Sequence, residues 1–176
     1  MIRRVAVPVL LAVVYLSTIV AANWAVTHYG AVPVWPGLLA PAGVYIAGLA
    51  FTIRDLLHEA AGRWVVLAAI VAGAGLSVAV SAPRLALASG VAFALSELAD
   101  LAVYAPLRRR RWLTAVAASN AVGLVVDSAL FLWLAFGSWA FLPGQIVGKA
   151  WMTMLAVAVL AAGRHAYRAR RAAATP

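Results

Sequence analysis

Cysteine is absent from the 176 residues. That excludes a disulfide framework, a Cys-ligated metal and a thiol nucleophile. Acid is scarce as well, with five Asp and Glu against 14 Lys and Arg. Charged residues make up 11% of the chain and hydrophobic residues 66%, where a soluble domain averages about 25% and about 45–50%. With a mean hydropathy of +0.98, the composition reads as a polytopic membrane protein of one domain. The net charge of +9 would suggest nucleic acid in a soluble protein. Here the arginines gather at the ends of apolar runs, where they set topology, and no nucleic-acid partner is expected.

Catalytic signatures are missing too. His58-Glu59-Ala60-Ala61 begins like a zinc-protease helix, but Gly62 stands where the second His is needed. There is no Gly-x-Ser-x-Gly elbow and no phosphate-cradling Gly-rich loop. His28, His58 and His165 lie outside the apolar runs or at their ends, with no serine to serve. A selectivity filter or repeated acidic ring is also lacking. No enzyme activity, cofactor or metal is expected.

What is present is a series of apolar runs near the roughly 20 residues that a hydrocarbon core requires. They are Val5–Trp24, Leu38–His58, Trp64–Ala82, Leu85–Leu107, Trp112–Phe136 and Pro143–Gly163. The expected fold class is an all-α integral membrane protein of six transmembrane helices. Residues 1–163 form its single domain, and 164–176 an Arg/Ala-rich cytoplasmic tail with a disordered end at Ala172–Pro176. The first run follows Arg3-Arg4 and resembles a secretion leader, but its length suits a span. Arg3, Arg4, Arg63, the run Arg108–Arg111, and Arg164, Arg168, Arg170 and Arg171 fall on one side, and only Arg84 on the other. The positive-inside rule then puts both termini in the cytoplasm. Trp24, Trp35, Trp64, Trp112 and Trp139 fall near span ends as interfacial anchors. The segment Thr27–Gly37, with Pro33, Pro36 and Gly37, reads as an outer loop able to cover a site.

The five acids all lie in or beside spans: Asp55, Glu59, Glu97, Asp100 and Asp127. An ionisable side chain near the bilayer centre costs roughly 2.5–3.5 kcal/mol on insertion scales. Phe93, Glu97, Asp100 and Tyr104 form one helical stripe. Ser89, Ala92, Ser96 and Ala99 form a small-residue stripe suited to helix packing. The fifth run presents Asn120, Gly123, Asp127 and Phe131 on one face, and the sixth Gln145, Lys149 and Met152. Arg54 and Lys149 can neutralise two carboxylates, but the acids outnumber them. The surplus falls on Glu97, Asp100 and Asp127, because Asp55 and Glu59 reach cytoplasmic water. Carboxylates accept paired N–H donors, amides pair a donor with an acceptor, and aromatic rings offer flat surfaces. A planar, amide-rich heterocycle with a guanine-like edge matches this set. A cation or proton matches the carboxylates alone.

Ordered motifs carry a resemblance. Ala22-Asn23-Trp24, Pro41-Ala42-Gly43-Val44-Tyr45 and Gly48 to Asp55 come early. Ala88-Ser89-Gly90, Ser96 to Asp100, Val103-Tyr104 and Pro106-Leu107 are central. Ser119-Asn120, Gly123, Asp127-Ser128, Phe131, Ala135-Phe136-Gly137 and Gly144 to Lys149 follow. Over roughly residues 20 to 155 the chain resembles the VUT or DUF165 family, the queuosine precursor transporters. The resemblance implies a multi-pass inner-membrane importer of 7-deazaguanine bases, such as 7-cyano-7-deazaguanine, for tRNA modification. It also implies likeness to the six-helix S-components of energy-coupling-factor transporters, which hold substrate near the outer face. On that footing the substrate-lining set is Glu97, Asp100, Asn120, Asp127, Gln145, Lys149, Arg54, Phe93, Tyr104 and Phe131. Glu97 or Asp127 would hold the N–H edge, Asn120 and Gln145 would read acceptors, and Arg54 and Lys149 would pair the acids or meet a carbonyl. The alternative is an S-component-like subunit for a vitamin or another nucleobase, served by a separate ATPase module. Homo-oligomerisation, an ATPase partner and proton coupling all stay open at this point.

Overall fold

The computed structural model describes residues 2–107 and 112–173. The arginine run 108–111 and the end of the tail, 174–176, lie outside the described residues. Six helices and one hairpin follow in order: α1 Ile2–Tyr29, β1 Ala31–Trp35, β2 Leu38–Pro41, α2 Val44–Ala61, α3 Arg63–Ser77, α4 Pro83–Leu107, α5 Trp112–Phe136 and α6 Leu142–Ala173. Long apolar sequence with no solvated face favours helices, which satisfy their own backbone in lipid. Pro83 opens α4 and Pro143 sits in the first turn of α6, where the missing N–H costs nothing. Gly62, at φ 82° with its N–H on the His58 carbonyl, separates α2 from α3.

Three stretches are long and apolar enough to cross a bilayer among the described residues: Ala6–Tyr29, Pro83–Tyr104 and Ala118–Phe136. The helix α3 is apolar, but its 15 residues reach only about 22 Å. It stops at Ser77, short of the Ala82 end expected. The helix α6 runs on through Gly163 to Ala173, so helix continues where the sequence suggested a tail.

The segment expected to be a plain loop is an antiparallel hairpin. Ala31 pairs with Pro41, Val32 with Ala40, Pro33 with Leu39 and Trp35 with Leu38, with an irregularity between Pro33 and Trp35. Pro36-Gly37 makes the turn, and Gly37 has φ 77°, a conformation that suits glycine. Residues 38–41, read as the start of the second span, are therefore strand. Pro33 fits because β1 has a free edge, and its carbonyl accepts a bond from the Tyr45 hydroxyl at 2.6 Å.

The helices α4 and α5 pack along their lengths, α1 lies against α2 and α3, and α2 lies against α6. Gly48 sets that last approach: a Cβ there would meet Met152 Cβ at 2.6 Å and the Lys149 carbonyl at 2.8 Å. One apolar cluster joins Tyr15, Ile19, Phe51, Leu57, Ile70 and Phe93 mid-bundle. A second joins Val26, Leu85, Ala88, Ala92, Phe131 and Leu132 toward the hairpin.

Candidate functional site

Polar side chains are stacked between these clusters in three tiers, starting under the hairpin. The first tier is a cavity of about 20 Å³ lined by Ala22, Asn23 and Val26 of α1, Gly43 and Val44 leading into α2, Ser89 of α4, Phe131 of α5 and Gln145 of α6. That volume holds about one water, far less than a planar heterocycle needs. The hairpin seals it against α6, where a Cβ on Gly144 would lie 2.1 Å from the Leu39 carbonyl. Trp35 of β1 stacks on Trp151 of α6 at 6.0 Å.

The polar groups in this cavity leave acceptors to offer. Asn23 Nδ2 donates to the Ile19 carbonyl at 3.2 Å and to Ser77 Oγ at 3.0 Å. Both amide hydrogens are thus engaged, and its Oδ1 remains. Gln145 is buried, and its Oε1 has no partner. An orphaned acceptor costs about 1–3 kcal/mol, which a ligand N–H would recover. Ser89 adds a hydroxyl, and Phe131 a ring face.

The second tier lies one helical turn deeper. Lys149, four residues after Gln145, donates through Nζ to Asp127 on α5 and to Ser128 Oγ at 3.1 Å. Asp127 is itself four residues before Phe131. The pair is buried on both sides and forms the floor beneath the cavity.

The third tier is centred on Arg54. Its NH1 donates to Glu97 on α4, and its Nε and NH2 donate to the neighbouring Asp55 at 3.0 and 2.7 Å. His58 Nδ1 lies 3.9 Å from Glu97 Oε1. The Phe51 ring sits between the two cations, 5.5 Å from the Arg54 guanidinium and 5.8 Å from Lys149 Nζ, within cation–π range. Asp100 comes one turn beyond Glu97, beside Gly123 of α5, with a buried Oδ1 that has no partner.

The ten residues singled out from the sequence are thus spread over about half the bundle. Gln145 and Phe131 line the cavity, and Asp127 and Lys149 lie beneath it. Arg54 and Glu97 bond to each other, eight residues along α4 from Ser89, or about 12 Å deeper. Phe93 belongs to the mid-bundle apolar cluster. Asp100 and half-buried Tyr104 lie toward the end of α4, and Asn120 is exposed on α5. Asn23 and Ser89 were not singled out as ligand contacts. The available signal for Asn23 was an amide one residue from the end of an apolar run, level with Gln145 at the start of another. Ser89 was read as packing because it sits in a small-residue stripe. No cluster of three His, Cys, Asp or Glu able to hold a metal occurs among the described residues.

The model of a family described as putative vitamin uptake transporter matches residues 77–163. The match runs from the end of α3 into α6 and takes in Ser89, Glu97, Asp100, Asp127, Phe131, Gln145 and Lys149. No curated protein and no solved structure matches the chain.

Proposed function

We propose, for a chain that belongs over residues 77–163 to the vitamin uptake transporter family, that it imports a queuosine precursor, a 7-deazaguanine base such as 7-cyano-7-deazaguanine. The observation that carries this reading is the acceptor-rich cavity under the hairpin. Gln145 Oε1 is orphaned, and Asn23 has spent both amide hydrogens within the protein. Such a site favours a ligand that presents adjacent N–H donors, as the edge of a guanine-type base does. Phe131 supplies a flat contact, and the Lys149–Asp127 pair supplies a donor and an acceptor below. A simple cation would use neither the amides nor the ring.

In this reading all six helices cross the inner membrane, the two termini are cytoplasmic, and the hairpin faces outward. The ligand enters from the hairpin side and is held near the outer face, as in the S-components that the sequence resembles. The small size of the cavity supports a cycle in which the hairpin must lift from α6 before a base can enter. The same location suits the second reading, a binding subunit for a vitamin or another nucleobase that works with a separate ATPase module.

The test is uptake of labelled 7-cyano-7-deazaguanine by cells that cannot make it, with and without the chain. Uptake that rises with expression, and falls in Gln145→Leu, supports the reading. Indifference of uptake to expression overturns it. Purified protein in liposomes separates the two forms: filling by the chain alone excludes an obligate ATPase module.

A further inference from the structure

Asn23 is gripped from the side away from the cavity. Its Nδ2 donates to the Ile19 carbonyl, one turn back on α1, and to Ser77 Oγ at the end of α3. Asn23 and Ser77 are both buried. Among the described residues the cavity wall draws nothing from α3. Ser77 therefore stands behind Asn23, not beside a ligand.

These two contacts decide which end of the amide faces which way. The two ends are alike in size, and their hydrogen-bond partners tell them apart. The Ile19 carbonyl can only accept. Ser77 has one hydroxyl hydrogen, and it goes to the Gly73 carbonyl at 2.8 Å. Toward Asn23, Ser77 Oγ therefore also acts as an acceptor. An amide oxygen turned into that corner would meet two acceptors and forfeit two hydrogen bonds. The NH2 is thus fixed toward α3, and Oδ1 is the end left for the cavity.

Packing keeps the corner in place. A Cβ on Gly73 would lie 2.8 Å from Ile19 Cδ1, so glycine lets α3 lie close on α1. One turn further along both helices, Ser77 meets Asn23. The Ser77 carbonyl in turn accepts the Ser81 hydroxyl at 2.8 Å and the Ser81 N–H at 2.9 Å. The residue that orients Asn23 is itself held, by Gly73 before it and by Ser81 after it.

We propose that Ser77 is a positioning residue that sets specificity: it locks Asn23 as a pure acceptor, so that the cavity takes a base presenting an N–H there and refuses one presenting a carbonyl. A site built to pair a ligand N–H discriminates strongly against a ligand that lacks it, because a buried polar group is left unpaired. The 2-amino group of a 7-deazaguanine meets this condition. The 2-oxo group of its xanthine-type counterpart sets oxygen against oxygen. The identity of the base rests on the uptake reading above, and the lock on Asn23 does not.

The test has two arms. The chain has two Asn and one Gln, so a nitrogen–proton correlation spectrum holds three side-chain NH2 pairs, few enough to assign by substitution. In substrate-free protein, Ser77→Ala should cost the Asn23 pair its protection from exchange with water. Ser81→Ala removes a neighbouring hydroxyl bond but leaves Asn23 its partners, and the protection should stay. An Asn23 pair unmoved by Ser77→Ala, or equally moved by Ser81→Ala, overturns the lock. In the second arm, purified protein is titrated with 7-cyano-7-deazaguanine and with 7-cyano-7-deazaxanthine. The amino base should bind at least about tenfold tighter, as expected when a buried acceptor loses its donor. In Ser77→Ala that ratio should shrink by about fivefold, the ordinary worth of one hydrogen bond, and in Ser81→Ala it should hold. An equal ratio in wild type and Ser77→Ala overturns the specificity role and leaves the uptake reading standing. Binding of neither base sinks the uptake reading, and the first arm then decides the lock by itself.

Discussion

Lys149 on α6 donates to Asp127 on α5, one helical turn below Gln145 and Phe131 of the same two helices. The ion pair therefore holds together the two helices that form one side of the cavity. Both partners are almost wholly buried, so each charge depends on the other.

Lys149→Met should accordingly strand Asp127. Breaking a buried pair from one side costs about 3–5 kcal/mol, whereas replacing both members with apolar groups is often neutral. Thermal unfolding in detergent should show a large loss for Lys149→Met and for Asp127→Leu singly, and substantial recovery in the double variant. A double variant no more stable than either single would refute the pairing.

Gln145→Leu should separate stability from binding. It removes an orphaned acceptor, so the ligand-free protein should unfold at an equal or higher temperature. Ligand affinity should fall by about tenfold, the equivalent of about 1.4 kcal/mol. Titration of the purified protein with 7-cyano-7-deazaguanine measures the second effect. A joint fall of stability and affinity would mean that Oε1 is satisfied within the fold.

Gly48→Val tests the α2–α6 contact. The added atoms meet Met152 Cβ and the Lys149 carbonyl, and they disturb the Thr153 hydroxyl bond to the Gly48 carbonyl. Overpacking of this kind costs about 1–3 kcal/mol. Because Lys149 moves with α6, ligand affinity should drop together with the melting temperature. Gly75→Val, placed where a Cβ meets nothing within 4 Å, is the control and should change neither.

Hairpin opening can be tested because the chain has no cysteine of its own. Cysteines at Trp35 and Trp151, whose rings stack across β1 and α6, should tie the hairpin down when bridged by a short bifunctional thiol reagent. Uptake should stop on bridging and return on cleavage of the bridge. Continued uptake in fully bridged protein would show that the ligand enters elsewhere.

The fold and the site were legible in the sequence to different degrees, for physical reasons. Helices were plain because apolar length is a local property, and Pro83 and Pro143 mark true starts. The hairpin was hidden because Val32 and Val34 alternate over only a few residues between prolines. In a chain this apolar, that signal merges with the start of the next run. That Asp127, Glu97, Arg54 and Lys149 need partners inside the bundle followed from the cost of burying charge. Their sorting into Lys149 with Asp127 and Arg54 with Glu97 did not, since partner choice depends on helix neighbours far apart in sequence. Asn23 drew no separate attention for a related reason: an amide costs less to bury than a carboxylate and signals more weakly. Its role is set by Ser77, 54 positions away, which engages its N–H.

The burial of Lys149 has one more consequence. It is the chain's single lysine, so apart from the terminal amine it is the only primary amine that an acylating reagent can reach. While the floor stays shut, such a reagent should leave it untouched. The rate of its modification is then a clock for how often this bundle opens, readable by mass spectrometry without any engineered label.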